Sequence, residues 1–312
     1  MAVLESAPPR VPENTRLPRR RGTLTRRPLT GLLFVAPSAV IVLGLFILPL
    51  IVLIVMSFTD WPLLGGPTPN GVENYTDIAT NELFLGAIGF TLIYTVITTI
   101  IIFAVSFVLV AISNSSRRGA KFYRTAFFLP YVVGTAAAAL MWFVNINDQI
   151  GVFNKLLQAV GLVEGSAGFL ETPSRALFTV IGLVIWKFIG FQVIVLLVGL
   201  QSIPAELYEA ARMDGASTWQ RLRYITLPYL KPTLALLFIL SITGSLLAFD
   251  QFLILTKGGP DNSTITMVMA IYNTAFTSFD LGRAAALAVV LLLALVVLNV
   301  VQLRLLRSKD DS

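Results

Sequence analysis

Six stretches of mostly apolar residues, roughly 32–57, 84–112, 122–145, 177–200, 230–255 and 282–304, divide the chain. About 20 residues of α-helix cross a hydrocarbon core of roughly 30 Å, so each stretch is long enough to span a membrane. The pattern predicts an all-α membrane protein with six transmembrane helices. The connections are short. The first, Asp60 to Asn81, is rich in Gly, Pro and Asn, with Trp61 placed as an interface anchor and Gly71-Val72-Glu73-Asn74-Tyr75 as a turn into a short helix. The third, about 146–176, carries Val152, Phe153, Leu156, Leu157 and Val160 at helical spacing and predicts a helix lying on the membrane face. In the fifth, Lys257-Gly258-Gly259-Pro260-Asp261-Asn262-Ser263 is a turn.

The connection between the fourth and fifth runs breaks this pattern, because it is polar, charged and patterned as helix. Pro204 and Glu206 suit a helix start, the acid lying near the positive end of the dipole. Glu206 to Asp214 then reads as a short helix ended by Gly215, which takes a left-handed cap at little cost. Ser217-x-x-Gln220 is a capping-box pattern opening a second short helix that runs towards Pro228. Two short helices about a Gly hinge make a rigid knob, and Ala210, Ala211 and Ala216 keep one surface low enough for another backbone to approach. By itself this is either an interfacial helix-turn-helix or a docking element.

Composition narrows the class. The chain of 312 residues is 56% hydrophobic and 13% charged, too apolar for an ordinary soluble domain. It has no Cys and no His, which excludes disulfides, thiol nucleophiles, His-based metal sites and imidazole acid–base catalysis. The net charge of +6 is spread in a particular way. Arg and Lys crowd the segment before the first run, the second and fourth connections and the C-terminus, and are sparse in the first, third and fifth connections. By the positive-inside rule both termini and connections two and four are cytoplasmic. The basic surplus is therefore topology, not a nucleic-acid footprint. Residues 1–30, rich in Pro and Arg, are expected to be a disordered cytoplasmic tail. Arg26-Arg27 before an apolar run resembles a twin-arginine export signal, but the run is too long for one and ends without a small-residue cleavage site, so a retained helix is expected.

No Walker A pattern occurs, so any ATP-driven action needs an ATPase on another chain. No paired carboxylates or Ser–Lys arrangement suits catalysis, and the chain is not expected to be an enzyme. Charged groups inside spans are costly and usually face an aqueous path or a partner. Lys187 is the clearest case, with Phe188 and Phe191 beside it. Beyond the polar segment Ser241, Gly244, Ser245 and Ala248 form a small, partly polar stripe, followed by Asp250 and Gln251. Each has a plainer reading: close helix packing for the stripe, and a buried ion pair for Lys187 and Asp250.

Glu209-Ala210-Ala211, three residues, Gly215, nine residues, then Ile225-Thr226-Leu227-Pro228 matches every position of the EAA signature of binding-protein-dependent ABC importer permeases. Tyr123 to Tyr131, Gly71 to Tyr75 and Leu255 to Pro260 also resemble motifs of the carbohydrate branch, the maltose and glycerol-3-phosphate type. The resemblance covers nearly everything after residue 30. It implies a type I ABC importer permease fold with N and C termini cytoplasmic, in a bacterial cytoplasmic (inner) membrane. The first helix and outer loop would occupy 31–83, the transmembrane domain 84–306 with its EAA loop at 205–228, and a cytoplasmic tail 307–312. It further implies that Glu209 is the charged contact to a cytoplasmic ATPase, Ala210 and Ala211 the close-packing face, Gly215 the hinge, and Asp214 a local cap or pair. Lys187, Phe188 and Phe191, with Ser241, Ser245, Asp250 and Gln251, would line a substrate pathway. Expected partners are a second permease subunit, most simply in a heterodimer, two ATPase copies carrying ATP and Mg, an extracytoplasmic solute-binding protein and the lipid bilayer. No cofactor or metal is expected on this chain. A Lys facing the path would favour an anionic solute, so a sugar and a glycerophosphate both remain open. The competing class is an ion-coupled secondary transporter or channel that uses Lys187 and Asp250.

Overall fold

The computed structural model describes residues 28–62, 65–113 and 120–306. The two expected tails lie outside these residues, except that Pro28 to Thr30 form the first turn of a helix rather than disordered chain. Proline suits that position because a helix's first N–H groups have no partner to lose. The chain divides into two units, the first ending at Leu50 and the second starting at Ile51. The first contains α1 (Pro28–Val42) and a π-helical turn (Leu43–Ile47), and its helix continues as α2 (Leu48–Ser57).

In the second unit a two-residue antiparallel pair, β1 (Thr59–Asp60) and β2 (Thr68–Pro69), interrupts the first connection. There follow α3 (Glu73–Thr80), α4 (Glu82–Ser113), α5 (Ala120–Val132), α6 (Thr135–Asn145), α7 (Val152–Ala159) and α8 (Pro173–Gln201). Then come α9 (Ala205–Met213), α10 (Thr218–Arg221), a second π-helical turn (Leu222–Thr226), α11 (Leu227–Leu246), α12 (Asp250–Leu255), α13 (Met267–Phe276) and α14 (Leu281–Leu306). Among the described residues five helices are long and apolar enough to cross a membrane, and α5 with α6 makes a sixth if the bent pair is one span.

The centre of the second unit is α8. It packs against α4, α5, α6 and α11 and is buried around most of its surface, as expected of a helix apolar on every side. Thr172 caps it, its hydroxyl accepting from the Arg175 N–H, and Pro173 occupies the first turn. Gly190 lets α5 approach: a Cβ there would run into the Phe127 carbonyl and sit 2.7 Å from the Phe128 Cα. One apolar cluster joins Tyr94, Val180, Leu183 and Phe252, and a second joins Phe103, Val193, Leu196 and Leu237.

Two expected spans differ from the straight helices that hydropathy suggests. The stretch 122–145 bends by 99° between α5 and α6. Pro130 removes one ladder hydrogen bond, and Gly134, at φ −57° and ψ 144°, leaves the helical region. The fifth span begins and ends earlier than 230–255. The chain is helical from Thr218 to Leu246, so the second short helix of the polar segment is the start of the span itself. Pro228 does not stop it, because the π-turn before it shifts the Leu227 N–H to the Leu222 carbonyl. The same device precedes Pro49, where the Leu48 N–H bonds the Leu43 carbonyl. Such π-bulges absorb an irregularity without ending the helix.

The outer-loop motif Gly71 to Tyr75 has a structural role. The buried Asn74 amide donates to the carbonyls of Ser57 and Thr59, each at 3.0 Å. The Tyr75 hydroxyl donates to Ser57 Oγ at 2.7 Å. The third connection forms a helix as expected, with Phe153 packed inward and Val152, Leu156 and Val160 exposed. The buried residue of α7 is polar: Asn154 donates to the Asp148 carbonyl and accepts from the Ala167 N–H.

Candidate functional site

The two broken helices face one cavity of about 630 Å³. At the first break it is lined by Tyr131 and Thr135; at the second by Leu247, Ala248, Phe249, Asp250 and Gln251. Helix α8 contributes Phe188, Phe191 and Gln192, α4 contributes Tyr94 and Thr98, and α11 contributes Ser241, Gly244 and Ser245. Interrupted backbone within a membrane is tolerated where it lines a cavity and its polar groups find partners. Both breaks are repaired by side chains from elsewhere.

At the α5–α6 break the repair is Lys187. It is 3% exposed, and its ammonium donates to the carbonyls of Val133 and, at 3.4 Å, Tyr131. The rings of Phe188 and Tyr131 lie 5.1 and 5.9 Å from the ammonium. Lys187 is thus not among the residues that line the cavity, although Phe188 and Phe191 are. It forms no ion pair with Asp250, so the buried-pair reading does not hold either. At the α11–α12 break, Phe249 leaves the helical region at φ −140° and ψ −66°. The hydroxyl of the buried Thr266 donates to the Ala248 carbonyl at 2.8 Å. The same residue caps α13 by accepting from the Met269 N–H, and Met267 N–H donates to Thr91 Oγ1 on α4 at 3.0 Å. The turn is therefore tied to α4, which also lines the cavity.

The lining combines a flat apolar surface with polar groups. Tyr131 and Phe191 stack with centroids 4.8 Å apart and planes 13° apart. Tyr94 meets Phe252 edge-on at 4.9 Å, and its hydroxyl is flanked by Gln251 and Thr98. Thr98 is itself buried, 2% exposed. Of the residues expected along a pathway, the cavity gathers Phe188, Phe191, Ser241, Ser245, Asp250 and Gln251. Sequence reasoning missed Tyr94, Thr98, Tyr131 and Gln192. Periodicity on α4 gives no way to tell which Thr faces a cavity, and Tyr131 required the break to be known.

At the end of α8 remote from the third connection, α9 carries the polar segment's signature. Its C-terminus is a complete Schellman motif: the Ala216 N–H bonds the Ala211 carbonyl at 2.8 Å and the Gly215 N–H bonds the Arg212 carbonyl at 3.1 Å. Gly215 stands at φ +76°, where a Cβ would strain the backbone. Ser217 and Gln220 form the expected capping box. Glu209, Ala210, Asp214 and Gly215 are exposed and Ala211 is half-buried. Asp214 holds the C-cap position through its backbone, and its carboxylate makes no hydrogen bond or ion pair among the described residues. One contact was not foreseen: the hydroxyls of Tyr208 and Thr226 lie 2.9 Å apart, clamping α9 to the π-turn. Thr226 is the variable position of the Ile-x-Leu-Pro motif. Among the described residues no cluster of acidic side chains could hold a metal ion.

This architecture has relatives. A solved structure of a bacterial ABC transporter involved in the import of the acidic polysaccharide alginate matches with a TM-score of 0.76 and 26% identity, over 89% of this chain and 96% of that one. The multiple sugar-binding transport system permease protein MsmF of Streptococcus mutans is 35% identical over 257 residues, 80% of this chain and 85% of the relative. The sn-glycerol-3-phosphate transport system permease protein UgpA of Agrobacterium fabrum is 31% identical over 242 residues, covering 77% and 81%. The family described as binding-protein-dependent transport system inner membrane component matches residues 108–310. With its α9 signature, its broken spans and these likenesses, the chain belongs to the inner membrane components of binding-protein-dependent transport systems.

Proposed function

We propose that this chain is a permease subunit of an ATP-driven importer that moves a sugar or sugar-like solute across the cytoplasmic membrane by alternating access. The observation that carries this reading is the pairing of an exposed, rigidly capped α9 with a cavity between broken helices. A transporter driven by another protein needs both: a place to be pushed and a path to be opened. In this reading Glu209 is the charged contact to the ATPase, Ala210 and Ala211 give close approach, and Gly215 with Asp214 fixes the cap. The α9 end is cytoplasmic, as are both termini. ATP and Mg sit on two copies of the partner ATPase. A second permease subunit completes the pathway, and an extracytoplasmic binding protein delivers the solute.

Stacked aromatics beside hydroxyls and amides suit a carbohydrate, whose rings have apolar faces and polar edges. The relatives' names point the same way, though they span sugars, a phosphorylated polyol and an acidic polysaccharide. The ion-coupled alternative drew on Lys187 and Asp250 as a relay, and no observation favours it.

Affinity purification of the tagged chain from its native host tests the coupling role. The ATPase subunit should copurify with the unaltered chain and be lost, by about tenfold or more, from Glu209→Lys and Gly215→Val, while both variants remain in the membrane. Solute uptake by this chain alone, driven by an ion gradient, would sink the proposal.

A further inference from the structure

We infer that Asp250 is a charge filter, making the cavity reject anions and fitting it to an uncharged carbohydrate. The inference rests on the cavity being the solute's path. Nineteen of the described residues line it, and among them Asp250 is the one with a formal charge. Its side chain is exposed and enters no ion pair or hydrogen bond among the described residues. Lys187, the buried cation of α8, is directed to the carbonyls at the α5–α6 break. Those two dipoles take up its charge in place of a solute. The other polar groups of the described lining are neutral: hydroxyls of Tyr94, Thr98, Tyr131, Thr135, Ser241 and Ser245, and amides of Gln192 and Gln251. Thr98 is buried with its hydroxyl beside that of Tyr94, a pair whose hydrogen-bonding capacity is not used up by the wall. A neutral polyol satisfies such groups. A phosphate or uronate would bring a second negative charge beside Asp250 with no cation in this chain's described lining to offset it.

The absence of native cysteine provides a direct test without knowing the solute. Ser241→Cys is made alone and with Asp250→Asn or Asp250→Lys, in membranes containing the whole assembly. Labelling is read on this chain's own band. Modification rates are measured with a trimethylammonium and a sulfonate methanethiosulfonate reagent, each normalised to its rate with a free thiol. Ser241 lines the same cavity as Asp250, and a carboxylate about 8 Å from a thiol at an effective dielectric constant of about 20 favours the cation over the anion by about tenfold or more. The normalised ratio should be at least that with Asp250 present, fall near one with Asp250→Asn and invert with Asp250→Lys. A ratio near one in the parent, or one that Asp250→Asn leaves unchanged, overturns the filter. If neither reagent reaches Ser241→Cys while the exposed control Trp219→Cys reacts fully, the pathway reading itself fails, and the filter with it.

Discussion

Lys187 illustrates how a single residue changes meaning once its neighbours are known. A lysine inside an apolar run signals that something nearby needs a charge. Here it is backbone: two half-buried carbonyls at a bend, to which the ammonium donates. Lys187→Met leaves both acceptors without their donor and should cost about 1–3 kcal/mol. It should appear as a lower unfolding midpoint of the detergent-solubilised assembly, and an unchanged midpoint would refute the repair role. Gly190 makes a sharper case. Its Cα faces the Phe127 backbone so closely that no side chain fits. Gly190→Val should abolish a monodisperse peak in size-exclusion chromatography, because the α5 backbone cannot move aside as a flexible side chain would. In the sequence the glycine is one of 22 and carries no mark of this contact.

At the scale of elements, α9 was legible because its signals are local. Caps, a left-handed Gly and a capping box act over four or five residues, so spacing alone reveals them. What spacing could not reveal is how α9 is held. The Tyr208–Thr226 contact joins residues 18 apart, across the turn. Tyr208→Phe should loosen it by about 1 kcal/mol, seen as roughly fivefold faster amide exchange within α9. Unchanged exchange would mean that the Schellman motif and capping box suffice. The helix breaks show the complementary failure. Hydropathy averages over a window and reads 122–145 as one span, although Pro130 and Gly134 were visible. It likewise extends the fifth span to 255, past a break at Phe249. Apolar composition reports a membrane setting, not the direction of the chain within it.

For the whole molecule, the distribution of Arg and Lys fixes an expected orientation that hydropathy cannot supply. Single cysteines in this cysteine-free chain make it measurable. Trp219→Cys, 65% exposed beside α9, should react with a membrane-impermeant thiol reagent only from the cytoplasmic side. Leu162→Cys, 73% exposed in the third connection, should react only from outside. Labelling of both from one side would reverse or dismantle the assigned topology, and with it the place of the ATPase.

The amino-acid pattern alone determined the helical class and the α9 signature, and gave the approximate positions of the spans and an expected orientation. Each of these depends on composition over a window or on spacing within a few residues, and such signals survive without neighbours. The tertiary structure decided which polar groups meet. Lys187 turned from a pathway candidate into the support of a bend, Thr266 became the cap of a broken span, and Asp250 was left as the charged group of a neutral cavity. Those outcomes depend on backbone groups exposed by the breaks and on side chains that are distant along the sequence and close in space. A buried polar group must find a partner somewhere, and only the packed helices specify where.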